Sequence, residues 1–279
     1  MQSIAVVPRG FTPEGGRFAQ IVHAVNLQVH KDFAPAWGIV ASVGYFPRRE
    51  DAPVDSSFVI VARDVKGNGG GHFRPCNTEE PPFALVTYDD HEAWSVLLSH
   101  EILEMLVDPG CSYFEEGPDP ENGTRKAKFL VEICDPCMGN TYINPEAPGI
   151  KVADFCLPAY YGKKAGNRFT YRDNIDVAYT VARGGYLSWQ NADGVWRQAN
   201  AIGGSTEFET IAPDFIADAI AACNFRGTLD RRYGNYGGGP IKAERRPTRI
   251  KGQASDANDR KSKARRIKAL DEALSNLGV

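Results

Sequence analysis

The chain has 279 residues, of which 42% are hydrophobic, with six cysteines and a formal net charge of −3. That apolar content is enough for one large core or two small ones, which excludes a disordered or fibrous chain. No run approaches the about 18 apolar residues of a membrane span, and Pro8, Arg9 and Gly10 interrupt the short apolar start. No signal peptide and no membrane contact are therefore expected; the expected setting is the cytoplasm, or a virion. In the cytoplasm Cys76, Cys111, Cys134, Cys137, Cys156 and Cys223 stay reduced.

Taken in order, Ser3 to Val7 is apolar and β-branched and predicts a first strand. Phe18, Ile21, Val22, Val25, Val29 and Phe33 recur at helical spacing, so Arg17 to Phe33 reads as an amphipathic helix that Pro35 ends. Gly38 to Phe46, Ser57 to Val65 and Phe83 to Tyr88 read as three further strands. The glycine-rich run from Lys66 to His72 reads as a flexible loop. It lacks the spacing and lysine of a phosphate-binding loop, which excludes nucleotide binding there, and His72 reads as an exposed loop histidine.

Asp89 to Asp108 predicts a helix. Asp89 and Glu92 offer a capping box, Pro109 marks the end, and Trp94, Leu97, Leu98, Ile102, Met105 and Leu106 make most of its sides apolar. On it stand His100, Glu101 and Glu104, an H-E-x-x-E array. Helical residues four apart differ by about 40° in azimuth and about 6 Å along the axis, so His100 and Glu104 can turn toward one ion while Glu101 points at its flank. The same letters also suit an ordinary amphipathic turn, since Glu and Leu are good helix formers. A helix so largely buried, however, does not carry three such side chains unaccompanied, because an unpaired buried carboxylate costs several kcal/mol.

Gly110 to Arg125 predicts a loop, Lys128 to Cys134 a strand and Ile150 to Phe155 another. Tyr186 to Trp196 predicts a hairpin turning at Asn191 to Gly194, with Trp189 and Trp196 able to face each other, and Phe208 to Cys223 a closing helix. In an extended strand Glu132 and Asp135 point to opposite faces, so one of them completes the ligand set unless the strand breaks at Pro136. Glu132 is the favoured third ligand beside His100 and Glu104, and Asp135 the alternative. Asp108, about 12 Å along the axis from His100, is expected to orient a neighbouring group or the following loop. Cys134 and Cys137 make half a zinc site and read as packing residues. Tyr142, Tyr160, Tyr161 and His72 are candidates for stabilising an oxyanion.

Residues 226–279 hold 14 Lys and Arg against 6 Asp and Glu, a net of +8, which leaves −11 on residues 1–225. The expected organisation is an acidic domain over 1–225 and a basic, largely extended or disordered tail over 226–279 that lies outside the core. Only Ala264 to Leu277 has helical composition. Its stripe of Ile267, Leu270, Leu274 and Leu277 is too narrow to be stable alone.

The strings SHEILEMLVDP (99–109), LVEICDPC (130–137), VADF (152–155) and GGYLSW (184–189) resemble an uncharacterised family of bacterial and phage-associated proteins. That family carries an H-E-L-x-E-x-x-x-D-P signature followed by E-[IV]-x-D-x-C; more distantly, both motifs resemble those of plant phosphate-induced proteins. The resemblance covers about residues 25–190 and implies a zincin-like, metallopeptidase-related α+β fold, with a small mixed sheet over the motif helix. It implies no substrate.

Two functions are expected from these features. One is a metal-dependent hydrolase, a zinc metallopeptidase acting on a peptide or protein substrate, with His100, Glu104 and Glu132 as ligands and Glu101 as general base. Its oxygen-rich ligand set also suits Mn2+, Mg2+ or Ca2+. The other is a non-catalytic assembly protein, such as a virion component, that holds a protein partner through its basic tail. Nucleic acid is the weaker partner for that tail.

Overall fold

The computed structural model describes residues 1–63, 65, 69–74, 80–89, 93–201, 205–214, 216 and 256–277. Five strands make the first sheet: β1 (Gln2–Arg9), β2 (Ala41–Tyr45), β3 (Ser57–Ala62), β4 (Gly70–Phe73) and β5 (Phe83–Thr87), in the order β2-β1-β3-β5-β4. β1 runs parallel to β2 and β3, and β3 to β5, while β4 lies antiparallel to β5 at the edge. The inner strands are continuous apolar runs because both faces are covered. Ile4, Val6, Val59, Val61, Ala84 and Val86 join one core cluster, and the alternate residues Ala5, Val7, Phe58, Ile60, Phe83 and Leu85 join a second.

The first cluster is roofed by α1 (Arg17–Gln28) and α3 (Trp94–Val107). The predicted first helix does not end at Pro35. Val29–Phe33 is a π turn leading into α2 (Ala34–Trp37), and the Ala34 N–H reaches back five residues to the Val29 carbonyl. This wider register carries the chain past a residue that lacks an N–H and would crowd an ordinary helical turn.

Beyond α3 the chain builds an antiparallel sheet, ordered β12-β11-β10-β7-β6, from β6 (Phe114–Pro118), β7 (Lys126–Leu130), β10 (Tyr186–Gln190), β11 (Trp196–Asn200) and β12 (Glu207–Thr210). A separate hairpin joins β8 (Thr141–Ile143) to β9 (Lys151–Ala153). The predicted loop over 110–125 therefore contains a strand, and the start of the predicted closing helix is β12; residues 213, 214 and 216 are helical as expected, and residues 215 and 217–223 lie outside the described residues. The predicted hairpin is present, but its two tryptophans do not face each other. Trp189 pairs with Arg197 and Trp196 with Gln190, which puts the indoles on opposite faces of the sheet. Trp189 is buried on Phe129, and Trp196 meets Phe114.

The last element, α4 (Asp256–Leu277), corrects the expectation that the tail stands apart. Leu270 and Leu274 are buried in the second cluster, which also holds Val7, Phe58, Ile60 and Leu85. Asp271 accepts from Arg49 at 2.6 Å and Arg9 at 3.3 Å, and Arg266 meets Glu80 at 3.3 Å. The stripe that is too narrow for a free helix is wide enough for one laid on a sheet. Residues 226–255 lie outside the described residues. Among the described residues no helix is long and apolar enough to cross a membrane.

Because Leu274 is fully buried, Leu274→Ala should cost about 2–4 kcal/mol in denaturant unfolding. A change below about 0.5 kcal/mol, the size of an ordinary surface substitution, would mean that α4 is not docked on the sheet.

Candidate metal centre

α3 starts at Trp94 rather than Asp89, and the Asp89 carboxylate accepts the Ala93 N–H at 3.1 Å. The helix is enclosed on all sides. One flank lies on β4 and β5; on the other, the Ser95 hydroxyl donates to the Lys151 carbonyl and the Ser99 hydroxyl accepts the Ala153 N–H, each at 2.7 Å, so two serines one turn apart pin the edge of β9. His100, Glu101 and Glu104 are consequently interior groups, and none is more than 6% exposed.

His100 Nε2 lies 3.0 Å from Glu104 Oε2 and 3.0 Å from Asp135 Oδ1. The other Glu104 oxygen accepts the Cys134 N–H at 2.9 Å, which ties the helix to the acidic segment. That segment is not the strand expected from sequence. β7 stops at Leu130, and Asp135–Cys137 is a 3-10 turn, so the alternation that would have sent Glu132 and Asp135 to opposite faces is absent. Both carboxylates are buried, and Glu104, Glu132 and Asp135 bring oxygens within 4.8 Å of one another. Asp135 has the oxygen at the imidazole; Glu132 joins the group through Glu104 and Asp135.

The turn is held from behind. A Cβ on Gly185 would meet the Pro136 carbonyl oxygen at 2.2 Å, so only glycine lets the start of β10 lie on Asp135 and Pro136. The Tyr161 hydroxyl donates to the Glu132 carbonyl at 2.7 Å. Asp154 accepts the Phe155 and Arg172 N–H groups at 2.9 and 3.0 Å and the Asn174 side-chain amide at 2.6 Å, so it anchors a neighbouring turn. Each of the four strings singled out in the sequence thus contributes to one construction.

Asp108 caps this construction at the end of α3. Its carboxylate accepts the Tyr113 N–H at 2.9 Å, and its carbonyl lies 3.0 Å from His72 Nε2. His72 itself differs from its expected place. It is fully buried on β4, paired with Ala84, and its Nδ1 lies 4.0 Å from Glu101 Oε2. β4 comes this close because it carries Gly70, where a Cβ would fall 2.8 Å from Glu101 Oε1 and 2.9 Å from Leu97. The signal that could have found His72 is the pattern of Gly70 to Phe73 beside β5, in which His72 and Phe73 must face opposite sides of the sheet.

The electrostatics follow from burial. At His100 desolvation opposes the charged imidazolium, yet the Glu104 carboxylate, with Asp135 and Glu101, outweighs it and holds the pKa well above the ordinary histidine value. Burial and the Glu104 charge push Asp135 up to about 6, against the lowering effect of His100. Burial likewise raises the Cys134 thiol and Asp108, the latter opposed by backbone N–H donors. Cys111, Cys134, Cys137 and Cys156 are free thiols, all buried; Cys76 and Cys223 lie outside the described residues.

Among the described residues, three overlapping groups could hold a metal ion: His100, Glu104 and Cys134; Glu104, Glu132 and Asp135; and His72, Glu101 and Glu104. The donors fit an ion. Metal bonds of about 2.0–2.2 Å set neighbouring ligand atoms about 3.4 Å apart in a tetrahedral site, so the 3.0 Å contacts of His100 need to open by only a few tenths of an ångström. No family model, curated protein or solved structure matches the chain.

Protein purified without chelators and offered zinc or manganese should retain tightly bound metal on elemental analysis, and His100→Ala should lose it. A wild type that stays metal-free under those conditions would refute the centre.

Proposed function

We propose that the chain is a metal-dependent hydrolase with a zincin-like fold, acting on peptide bonds and using zinc, with Mn2+, Mg2+ or Ca2+ as alternatives. The observation that carries this reading is the convergence of His100, Glu104 and Asp135, with Glu101 buried beside them on the same helix. The first sheet supports it: its one antiparallel edge strand, β4, runs against the helix that bears the array. His100 and Glu104 would hold the ion together with Asp135 or Glu132. A zinc ion bound there supplies a Lewis acid that polarises the scissile carbonyl.

The chain's own contribution to the chemistry falls to Glu101. Its carboxylate takes a proton from the attacking water as the new C–O bond forms, and delivers it to the amine nitrogen as the C–N bond breaks. The tyrosines considered for the oxyanion are occupied elsewhere. Tyr142 donates to Asp32 at 2.6 Å, Tyr160 to the Thr180 carbonyl at 2.7 Å, and Tyr161 to Glu132.

The depth of the centre favours a second reading. His100 is its most exposed member at 6%, and a closed metal site is the structural kind. On that reading the ion holds the fold of a non-catalytic assembly protein, as in a virion, and the basic residues preceding α4 bind an acidic protein partner or, less suitably, nucleic acid.

Glu101→Gln separates the two readings, because it leaves His100 and Glu104 in place. For a hydrolase, the variant keeps the ion at His100 and loses about 10²–10⁴ in turnover on a peptide library, whereas Glu104→Gln weakens the ion itself. Wild-type protein that carries metal and yet cleaves nothing above background would overturn the catalytic reading in favour of the structural one.

A further inference from the structure

The site above uses His100, Glu104 and the 132–135 segment. It leaves His72 and Glu101 on the β4 side of the same helix, both buried and facing one another. His72 Nε2 is 3.0 Å from the Asp108 carbonyl, an acceptor only, so Nε2 carries a hydrogen, and Nδ1 is the nitrogen turned toward Glu101, where the neutral form of the ring offers a lone pair. A histidine whose far nitrogen is fixed by a backbone carbonyl is the arrangement in which proteins orient an imidazole ligand.

The Nδ1 to Glu101 Oε2 separation of 4.0 Å is too long for a hydrogen bond. An ion with bonds of about 2.0–2.2 Å sets tetrahedral neighbours about 3.4 Å apart, so this pair reaches one ion by closing about 0.6 Å. Glu104 completes this set within 4.8 Å and belongs to the His100 set as well. Its carboxylate has lone pairs to serve both sides, even with one oxygen accepting the Cys134 N–H. Charge points the same way. Four buried carboxylates, Glu101, Glu104, Glu132 and Asp135, surround two imidazoles; one divalent ion balances two of them and a second balances the others.

We propose that the protein binds two divalent cations side by side: one at His100, Glu104 and the Asp135 segment, and a second at His72 and Glu101, with Glu104 shared between them. This rests on the metal-centre reading and extends it. A pair of ions held in this way would supply the two-metal chemistry in which both the attacking and the leaving atom are stabilised. In that arrangement one Glu101 oxygen would be a ligand of the second ion and the other would remain to take the proton.

The test is cation stoichiometry on the full chain, made metal-free and reloaded with zinc or manganese, and read by native mass spectrometry. Wild type should take up two ions, and His72→Gln, which keeps much of the ring's volume, should take up one. The manganese-loaded wild type should also give an exchange-coupled electron paramagnetic resonance signal, a readout that needs no variant. Saturation at one ion, an uncoupled manganese signal, or two ions in a folded His72→Gln would each overturn the second site and leave the first standing. Uptake of no ion would overturn both.

Discussion

The structure depends on enclosing α3 on every side while it carries a row of charged groups. A helix covered on one face can leave its polar residues in water; this one cannot, because the first sheet lies on one flank, β9 on another and the Cys134 turn at its end. Each polar side chain therefore dictates something about its surroundings. Ser95 and Ser99 set where β9 runs, Glu104 fixes the backbone of Cys134, and His100 draws Asp135 inward. Gly185 and Gly70 then follow as steric necessities, since the turn and the edge strand must approach the helix with no side chain between them. An interior polar array is tolerable only if its partners converge, and that convergence makes the candidate centre.

Much of this was legible in the sequence, for identifiable reasons. The array on α3 stands out because an apolar helix announces burial, and burial makes its three charged residues anomalous. The parallel strands are visible as unbroken apolar runs. Asp135 was harder to place, since strand alternation is a rule about regular chain and nothing in Val131 to Cys134 signals that the strand has already stopped at Leu130. His72 was hidden by glycines. Gly69 to Gly71 read as loop because they have little strand preference of their own, and β4 exists because β5 offers it an edge.

The closing helix shows a different limit. Leu270 and Leu274, two residues of the stripe singled out in the sequence, are buried, but the cluster they join is built from strands far away in the chain. Periodicity describes a face and says nothing of what that face meets. A stripe insufficient in isolation becomes sufficient when a preformed apolar surface receives it.

That arrangement bears on how the molecule is made. The face formed by Ala5, Val7, Phe58, Ile60, Phe83 and Leu85 comes from strands that precede by far in the chain the leucines that bury against it. At about 5–20 residues per second, the stretch between Thr87 and Leu270 takes on the order of 10–40 s to synthesise. Throughout that interval this face lacks the leucines that bury against it, so a chain cut before Leu270 would leave apolar surface of the kind that favours aggregation.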